Sequence, residues 1–208
     1  MEHKNLFALG RWPKKFRNDL TRIRSFEDAR ADNGARLNAL ELMTIVLEDR
    51  RFFHHLGVDP LSVLREVNRA LTFRKHGGAS TIDMQFVRTA TGFRQHTIGR
   101  KLYEAVLAVA LQFHCSKRAI LRSYLACAFF GSGLIGADAA ARKVFGKNAG
   151  ALDLEEAAFI AAMLAAPRPL HATPQWEAKV RRRAAHALSV FAAGHERLSG
   201  RCHVSFES

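Results

Sequence analysis

The stretch EDRRFFHHLG, residues 48–57, joins a run of helical periodicity to paired carboxylates, two aromatic rings and a glycine. Apolar residues before it recur at steps of three and four, so we expect one long helix from near Ala35 to His55, ended by the glycine. On that helix Glu48, Phe52 and His55 fall at i, i+4 and i+7 and share a face. The pattern therefore predicts a carboxylate beside an aromatic wall.

The carboxylate of Glu48 in that setting has a functional and a structural interpretation. In the functional one it transfers a proton. Such a carboxylate is either made harder to ionise by burial beside aromatic rings or held ionised by neighbouring arginines, and either state can move a proton on or off a sugar hydroxyl. The structural alternative is a solvated helical face on which Glu48 and Asp49 pair with Arg50 and Arg51. Spacing alone does not choose between the two.

The rest of the chain is predicted to be mainly α, because no stretch alternates strictly like a half-buried strand. In the helix that starts near Gly99, we expect Leu102, Val106, Val109 and Phe113 to bury one face. Helix starts are predicted at Asp59–Pro60, Ser80, Ser116, Asp153 and Thr173–Pro174.

Length and composition fit one folded domain. The 208 residues are enough for one sizeable core, or for one domain split into two lobes. We place this domain at residues 35–195, after a basic amphipathic segment at 1–34 and before a tail at 196–208. No apolar run approaches the ~18 to 20 residues of a membrane span and no signal peptide is evident, so any membrane contact is predicted to be peripheral.

The chain is strongly basic, since its 32 lysines and arginines exceed its 19 aspartates and glutamates by 13. Such a surface attracts phosphate in nucleic acid, in anionic lipid headgroups or in a pyrophosphate substrate. Aromatic residues are not interleaved with the basic clusters and no helix-turn-helix or RNP pattern occurs, which argues against nucleic acid. The three cysteines and the histidines lack metal-ligand spacing such as HExxH, so no metal site is predicted.

Two further stretches carry candidate anion-binding groups. In GGASTIDMQ, residues 77–85, two glycines let the backbone approach a ligand, and amides at a helix start can bind an anion. No lysine follows as in a Walker loop. In RKLYE, residues 100–104, Glu104 lies one helical turn from Arg100 and near Lys101. The structural alternatives are a capped glycine turn and a surface ion pair.

Taken in order, these segments resemble the family 51 peptidoglycan glycosyltransferases over roughly residues 40–190. The family's first motif, EDxxFxxHxG, is complete, and its third, RKxxE, is intact. The second stretch is similar to the family's GGSTITQQ, and KRAILRSYLACAFFG, residues 117–131, is similar to KxxILExYLN followed by FG. An imperfect final motif lies at Arg182 and Arg183. One such motif would be weak evidence for the family, whereas the full set of motifs in the family's order is specific evidence.

The resemblance implies a lysozyme-like, mainly α fold, with a large helical lobe and a smaller membrane-facing jaw lobe around a cleft. It implies a membrane-associated hexosyltransferase of peptidoglycan biosynthesis, cell wall biogenesis and cell shape, at the periplasmic face of the bacterial inner membrane. The implied reaction polymerises lipid II into β-1,4 glycan strands with inversion. Apolar candidates for the jaw are Phe73, Phe86, Val87 and Phe93.

The resemblance also implies partners and cofactors. The partners are lipid II, the growing glycan strand, the membrane surface and penicillin-binding transpeptidases, with no nucleic acid. No cofactor is required, although Mg²⁺ or another divalent ion would find a ligand in Glu104.

Site roles follow from the same resemblance, position by position. Glu48 would act as base on the acceptor's 4-hydroxyl, and Glu104 would orient cations or a divalent ion. Arg88, where the family usually has lysine, would neutralise the leaving pyrophosphate together with Arg100 and Lys101. The predicted substrate-binding residues are Asp49, Phe52, His55, Ser80, Thr81, Gln85, Arg88, Arg100 and Lys101.

Several features depart from the family pattern. Asp83 and Met84 replace the usual Thr-Gln, and Asp83 is expected to add a negative charge near the phosphate site. Arg122 replaces a glutamate and Ala126 an asparagine. The expected transmembrane anchor is not seen, which suggests a truncated, divergent or peripherally bound member. A catalytically impaired lipid II or cell-wall binding module is therefore an alternative, and a lytic lysozyme-like glycosidase is a third, with little use for phosphate-binding arginines.

Overall fold

A computed structural model of the chain describes residues 13–26, 36–71, 80–93 and 97–202. Within these ranges the chain forms α-helices and one short hairpin, so the mainly α prediction is confirmed. The chain divides into two compact units. The first unit is Met1–Ala35 with Arg51–Ala128, and the second unit is Arg36–Arg50 with Phe129–Ser208.

The elements are, in chain order, α1 (Lys14–Arg24), α2 (Ala39–Glu48), α3 (Pro60–Leu71), α4 (Ile82–Thr91), α5 (Ile98–Leu111), α6 (Lys117–Cys127), β1 (Phe129–Gly131), β2 (Leu134–Ile135), α7 (Ala137–Phe145), α8 (Leu154–Met163) and α9 (Pro174–Cys202). Single 3-10 turns lie at Phe52–His54 and Ala149–Ala151. No helix in the described ranges is both long and apolar enough to span a bilayer.

Helix α4 packs against α1, α5 and α6 in the first unit. It buries apolar side chains on most of its circumference, as expected for a helix with neighbours on several sides. Helix α1 is amphipathic and buries Phe16, Leu20 and Ile23 in the same unit. Phe86 and Val87 of α4 are also fully buried, so their prediction as membrane-facing jaw residues is wrong. Phe73, predicted with them, lies outside the described residues.

Helix α5 turns a different face to the core than its apolar spacing suggested. Leu102, Val106 and Phe113 are 64%, 45% and 52% exposed, so their predicted burial is wrong. The packed face instead carries Leu107 and the small Ala108, which lets the Gly57 backbone approach closely. Apolar residues lie on both sides of α5, and spacing could not say which side meets the core.

Helix α2 is shorter than predicted at both ends. A capping box at Asn38 begins it, with Asn38 Oδ1 accepting from the Glu41 amide at 2.9 Å and Glu41 Oε2 accepting from the Asn38 amide at 3.0 Å. The helix ends at Glu48, because Asp49 adopts φ −159° and ψ 79°. The prediction of one helix from near Ala35 to His55 is therefore wrong. The chain passes from the second unit to the first just after Arg50, which a local pattern does not reveal.

Helix α8 packs against α2, α7 and α9 in the second unit. It is apolar all round and buries every side chain from Ala157 to Met163, which is typical of a fully enclosed helix. Its predicted cap is confirmed, since Asp153 Oδ1 accepts from the Glu156 amide at 2.9 Å. The antiparallel β1–β2 hairpin was not predicted, because two and three residues are too few to show an alternating pattern.

Candidate active site

Glu104 is the centre of a charged cluster in the first unit. Its side chain is fully buried, and Oε1 accepts from Arg88 Nε at 3.2 Å and from Arg100 Nη1 at 2.9 Å. Oε2 accepts from Arg88 Nη2 at 3.1 Å, and the same Nη2 donates to Ser80 Oγ at 3.3 Å. The structure thus brings together four of the predicted site residues on α4, α5 and the residue pair before α4.

Two guanidiniums share one carboxylate in this cluster, so it keeps a net positive charge. The Arg88 side chain is 36% exposed and therefore accessible to an anion, whereas the Arg100 side chain is only 11% exposed. Forked contacts to a fixed carboxylate orient a guanidinium, and an oriented guanidinium recognises phosphate oxygens well. Lys101 is exposed on the same helix as Arg100. The arrangement suits binding of a phosphate or pyrophosphate.

The start of α4 is held by Thr81 rather than by Ser80. Thr81 Oγ1 accepts from the Met84 amide at 3.2 Å and donates to the Gly57 carbonyl oxygen at 2.6 Å. The prediction of Ser80 as the cap is therefore wrong by one residue. Ser80 is half-buried and accepts from Arg88, while Thr81 is buried and ties α4 to the Gly57 turn. Substrate contacts of both hydroxyls stay predictions.

Asp83 lies inside the first unit and is fully buried. Its Oδ2 accepts from Lys117 Nζ at 2.8 Å, its Oδ1 accepts from Gln112 Nε2 at 2.7 Å, and His55 Nδ1 is 3.9 Å from Oδ2. Burial raises the pKa of the Asp83 carboxyl, and the Lys117 ammonium partly opposes that rise. The negative charge expected at Asp83 is thus paired with the Lys117 ammonium inside the first unit, and its effect on a phosphate site stays a prediction.

Phe52, His55 and Gly57 of the 48–57 stretch are buried in the first unit and have packing roles there. Phe52 is fully buried, and its ring lies 4.5 Å from Lys117 Nζ and 6.4 Å from the His55 ring. Gly57 has φ +83°, and a Cβ placed on it would lie 2.6 Å from the carbonyl carbon of Ala108. Only glycine fits that turn without strain. The motif thus organises the first unit around Lys117 and α5.

Glu48, the predicted base, belongs to the second unit. Arg183 Nη2 of α9 donates to Glu48 Oε1 at 2.8 Å, and the Glu48 side chain is 12% exposed. One turn further along α9, His186 Nε2 is 3.4 Å from Arg50 Nη2. Asp49, the residue that follows the end of α2, is buried. Because Glu48 and Phe52 do not share a helix, the predicted aromatic wall on the same helical face is wrong.

Several partners of the predicted residues escaped sequence reasoning. The Tyr124 hydroxyl donates to Gln85 Oε1 at 2.7 Å, Lys117 Nζ donates to Asp83, and Arg183 Nη2 donates to Glu48. Tyr124 and Lys117 were visible as members of the fourth motif, but nothing in their spacing said which residue each would bind. Arg183 was singled out only as part of an imperfect last motif.

Comparison with known proteins shows which family the chain resembles. The family model described as transglycosylase matches residues 31–191. The chain is 38% identical over 127 residues to a penicillin-binding protein 1A of Aquifex aeolicus, which is 59% of this chain and 17% of that protein. It is 36% identical over 143 residues to a biosynthetic peptidoglycan transglycosylase of Vibrio parahaemolyticus, which is 69% of this chain and 64% of that protein.

A biosynthetic peptidoglycan transglycosylase of Shewanella denitrificans is 37% identical over 144 residues, which is 68% of this chain and 63% of that protein. The chain thus spans less than two thirds of the length of each of these relatives. The helical architecture agrees with the lysozyme-like fold that the resemblance implies. Because the family model covers most of its length, the chain belongs to the transglycosylase family.

Proposed function

We propose that this chain is a peptidoglycan glycosyltransferase that polymerises lipid II into β-1,4-linked glycan strands with inversion. The observation that carries the proposal is the Glu104 cluster, where Arg88 and Arg100 are fixed on one buried carboxylate. Such a cluster is suited to a substrate whose leaving group is a pyrophosphate. The similarity to two proteins named biosynthetic peptidoglycan transglycosylase supports the same reaction.

The residues divide the reaction between them. The acceptor's 4-hydroxyl oxygen attacks the anomeric carbon of the donor, its proton passes to Glu48, and the bond from that carbon to the lipid pyrophosphate breaks. Negative charge builds on the departing pyrophosphate, so cations contribute more than a proton donor would. Arg88, Arg100 and Lys101 supply those cations, and Glu104 holds the two arginines in place.

Glu48 needs a fixed orientation to serve as a base, and Arg183 is its support. The 2.8 Å bond from Arg183 Nη2 holds one carboxylate oxygen of Glu48 from the facing helix α9. A base must lie within hydrogen-bond reach of the proton that it takes, so the bond limits the rotamers of Glu48 in a useful way. Arg183 is thereby a positioning residue for the proposed base.

No cofactor is needed for this scheme. Both oxygens of Glu104 already accept from arginines, which favours the orienting role over direct binding of Mg²⁺ or another divalent ion. Dependence of the rate on a divalent ion, with Glu104→Gln removing that dependence, would reverse this assignment.

The partner that we propose for the exposed apolar surface at α5 is the membrane surface at the periplasmic face of the inner membrane. This surface, which we call the apolar face of α5, consists of Ile98, Leu102 and Val106 on the helix and Phe113 just after its end. All four side chains are exposed, Ile98 by 82%. An exposed apolar stripe on a basic protein favours an anionic bilayer surface, where lipid II would be carried. Penicillin-binding transpeptidases, which would crosslink the product strands, are the protein partners we propose beside it.

Incubation of the purified chain with labelled lipid II in detergent and Mg²⁺ tests the activity. Wild type is expected to form glycan strands, and Glu48→Gln is expected to form none while unfolding at the wild-type temperature. Glu155→Gln removes an exposed carboxylate from α8 in the same unit and serves as the matched control. Absence of strands from wild type, or full activity of Glu48→Gln, would contradict the proposal.

A lipid II binding module without turnover is the second candidate, favoured by Ala126. This residue replaces the usual asparagine of the fourth motif and presents only an exposed methyl group near the end of α6. Lipid II binding that survives Glu48→Gln, with no strand formation by wild type, would select this candidate.

A further inference from the structure

Two arginines of the second unit lie over aromatic rings near the start of α9, and they differ in whether a carboxylate faces them. Arg181 Cζ lies 5.6 Å from the centroid of the Phe159 ring. Its Nε and Nη2 donate to Glu177 Oε1 at 2.9 and 2.6 Å. Arg168 Cζ lies 6.0 Å from the centroid of the Trp176 ring. Among the residues that the structure describes, none accepts a hydrogen bond from the Arg168 guanidinium or forms an ion pair with it.

The Trp176 ring is held in a fixed orientation. Its Nε1 donates to the Ala166 carbonyl oxygen at 2.9 Å, and the Phe159 ring meets it edge-on with the centroids 6.1 Å apart. The residue lies in the first turn of α9, where Thr173 Oγ1 accepts from its amide at 3.2 Å. The partner of the indole N–H also prevents the ring from turning away. Trp176 is therefore a stable surface beneath the Arg168 guanidinium.

The backbone of Arg168 is fixed by the β1–β2 hairpin. Its amide donates to the Phe130 carbonyl oxygen at 2.8 Å, and its carbonyl oxygen accepts from the Ser132 amide at 2.9 Å. A Cβ placed on Gly131 would lie 2.7 Å from the Arg168 Cβ, so the two segments approach closely. An arginine that is held at its backbone and stacked at its guanidinium loses little conformational entropy on binding a ligand. Arg168 is thus preorganised for an anion.

The surroundings of Arg168 decide which anion it fits. Arg168 and Trp176 are half-buried, and Leu170, two residues further along, is 71% exposed. One guanidinium fork offers two parallel N–H groups, which match the two oxygens of a carboxylate. A phosphate dianion would need a second cation, and the stacked Arg181 is already neutralised by Glu177. The exposed leucine and the ring suit an apolar side chain close to that carboxylate.

We propose that Arg168, Trp176 and Leu170 form a binding site for the last residue of a peptide that ends in a free carboxylate beside an apolar side chain. The carboxylate accepts two N–H groups from Arg168, and the apolar side chain lies on Leu170 and on the open part of the Trp176 ring. The last residue of a peptide carries both groups, whereas an aspartate or glutamate within a chain carries only the carboxylate. The site shares no residue with the Glu104 cluster or with the pair of Glu48 and Arg183.

Calorimetric titration of the full chain at physiological salt tests the site with three probes, which are acetyl-Gly-Gly-Leu, its C-terminal amide and acetyl-Gly-Gly-Gly. Acetyl-Gly-Gly-Leu is expected to bind about tenfold more tightly than its amide, because two hydrogen bonds to a charged group are lost in the amide. Arg168→Gln is expected to lower the affinity for the acid to that of the amide. Leu170→Ser is expected to lower the affinity for the leucine peptide to that of acetyl-Gly-Gly-Gly and to leave the latter unchanged.

The matched control removes the other stacked arginine. Arg181→Gln combined with Glu177→Gln keeps the net charge and takes away the ion pair over Phe159. This variant is expected to bind acetyl-Gly-Gly-Leu with wild-type affinity. A loss as large as that of Arg168→Gln would show that the peptide does not depend on the free fork of Arg168, which would sink the proposal.

Other outcomes also overturn the proposal. Equal affinity for the acid and the amide would exclude the carboxylate contact, and wild-type affinity in Arg168→Gln would exclude this location. Displacement of the peptide by inorganic phosphate at concentrations where acetate has no effect would indicate a phosphate site instead. If Arg168→Gln fails to fold, Arg168→Lys keeps the stem and the charge without the fork, and wild-type affinity in that variant overturns the proposal. The readout is binding alone, so its failure is separate from failure of strand synthesis.

Discussion

Replacing Gly57 by alanine probes the turn that ends the 48–57 stretch. The residue has φ +83°, which costs a non-glycine residue ~1–2 kcal/mol. The new Cβ would lie 2.6 Å from the Ala108 carbonyl group and 2.8 Å from the Val109 nitrogen, and such overpacking against backbone costs ~1–3 kcal/mol. Shifting the turn would also stretch the 2.6 Å bond from Thr81 Oγ1, worth ~1 kcal/mol.

These terms together predict that Gly57→Ala lowers the free energy of unfolding by about 3 to 6 kcal/mol. For a chain of this length, that is a fall in melting temperature of about 6 to 24 °C. Urea unfolding and thermal unfolding followed by far-UV circular dichroism measure both quantities. The expected loss is large because the obstructing atoms are backbone atoms of α5, which no rotamer change can move.

The matched control is Gly92→Ala in the same unit. Gly92 has φ +70°, but a Cβ there would meet nothing within 4 Å. Only the backbone term applies, so the expected cost is ~1–2 kcal/mol. If Gly57→Ala costs no more than Gly92→Ala, the close approach of Gly57 to Ala108 is not a constraint on the fold, and the reasoning fails.

Three further predictions concern buried or shared charges. Asp83→Ala leaves the Lys117 ammonium unpaired and should cost ~3–5 kcal/mol in urea unfolding, whereas Asp83→Leu combined with Lys117→Met should cost clearly less; equal costs would refute the pairing. Burial raises the folded-state pKa of Asp83 above its usual 3.8. Protonated Asp83 should therefore add to the free energy of unfolding fully below the unfolded-state pKa, and this contribution should be lost as pH rises through the folded-state pKa. The resulting dependence of the free energy of unfolding on pH, measured by urea titrations, should vanish in Asp83→Asn. Arg88→Gln should lower kcat/KM for lipid II about 100-fold and Arg88→Lys should lower it less, and equal losses would argue against a charge requirement at this position.

Helix starts were predictable because their determinants are local. Ser116, Asp153 and Thr173 each accept a bond from an amide three residues further on, and all three caps are confirmed. The cap of α4 was predicted at Ser80 instead of Thr81, because both residues are good N-caps and they are adjacent in the sequence. Thr81 is the N-cap of α4, and its hydroxyl also donates to the carbonyl oxygen of Gly57, 24 residues earlier in the chain.

Burial on α5 could not be predicted from spacing. Leu102 and Val106 have the periodicity of a core face, yet the packed side is the one with Ala108, where a glycine backbone needs room. Which side of a helix with apolar residues on both sides is covered depends on partners distant in sequence. The end of α2 was predicted wrongly for the same reason, because no local sequence pattern marks the change of unit after Arg50.

In the candidate site, too, contacts between residues close in sequence were predictable and contacts between distant residues were not. Glu104 and Arg100 are four residues apart on one helix, and their pairing was visible in the sequence. The partners of Glu48 and Asp83 are 135 and 34 residues away, and no spacing rule connects them. The family resemblance supplied which residues matter, while the structure supplied what each of them touches.

The Asp83–Lys117 pair has a consequence for protein engineering. Substituting a family's commonest residue at each departing position is a usual route to a more stable protein. Threonine at position 83 would remove the counterion of Lys117, which is 15% exposed, and would remove one of the two acceptors of Gln112 Nε2. Consensus design should therefore treat Asp83, Lys117 and Gln112 as a linked set, because replacing Asp83 alone would leave the Lys117 ammonium without its carboxylate partner.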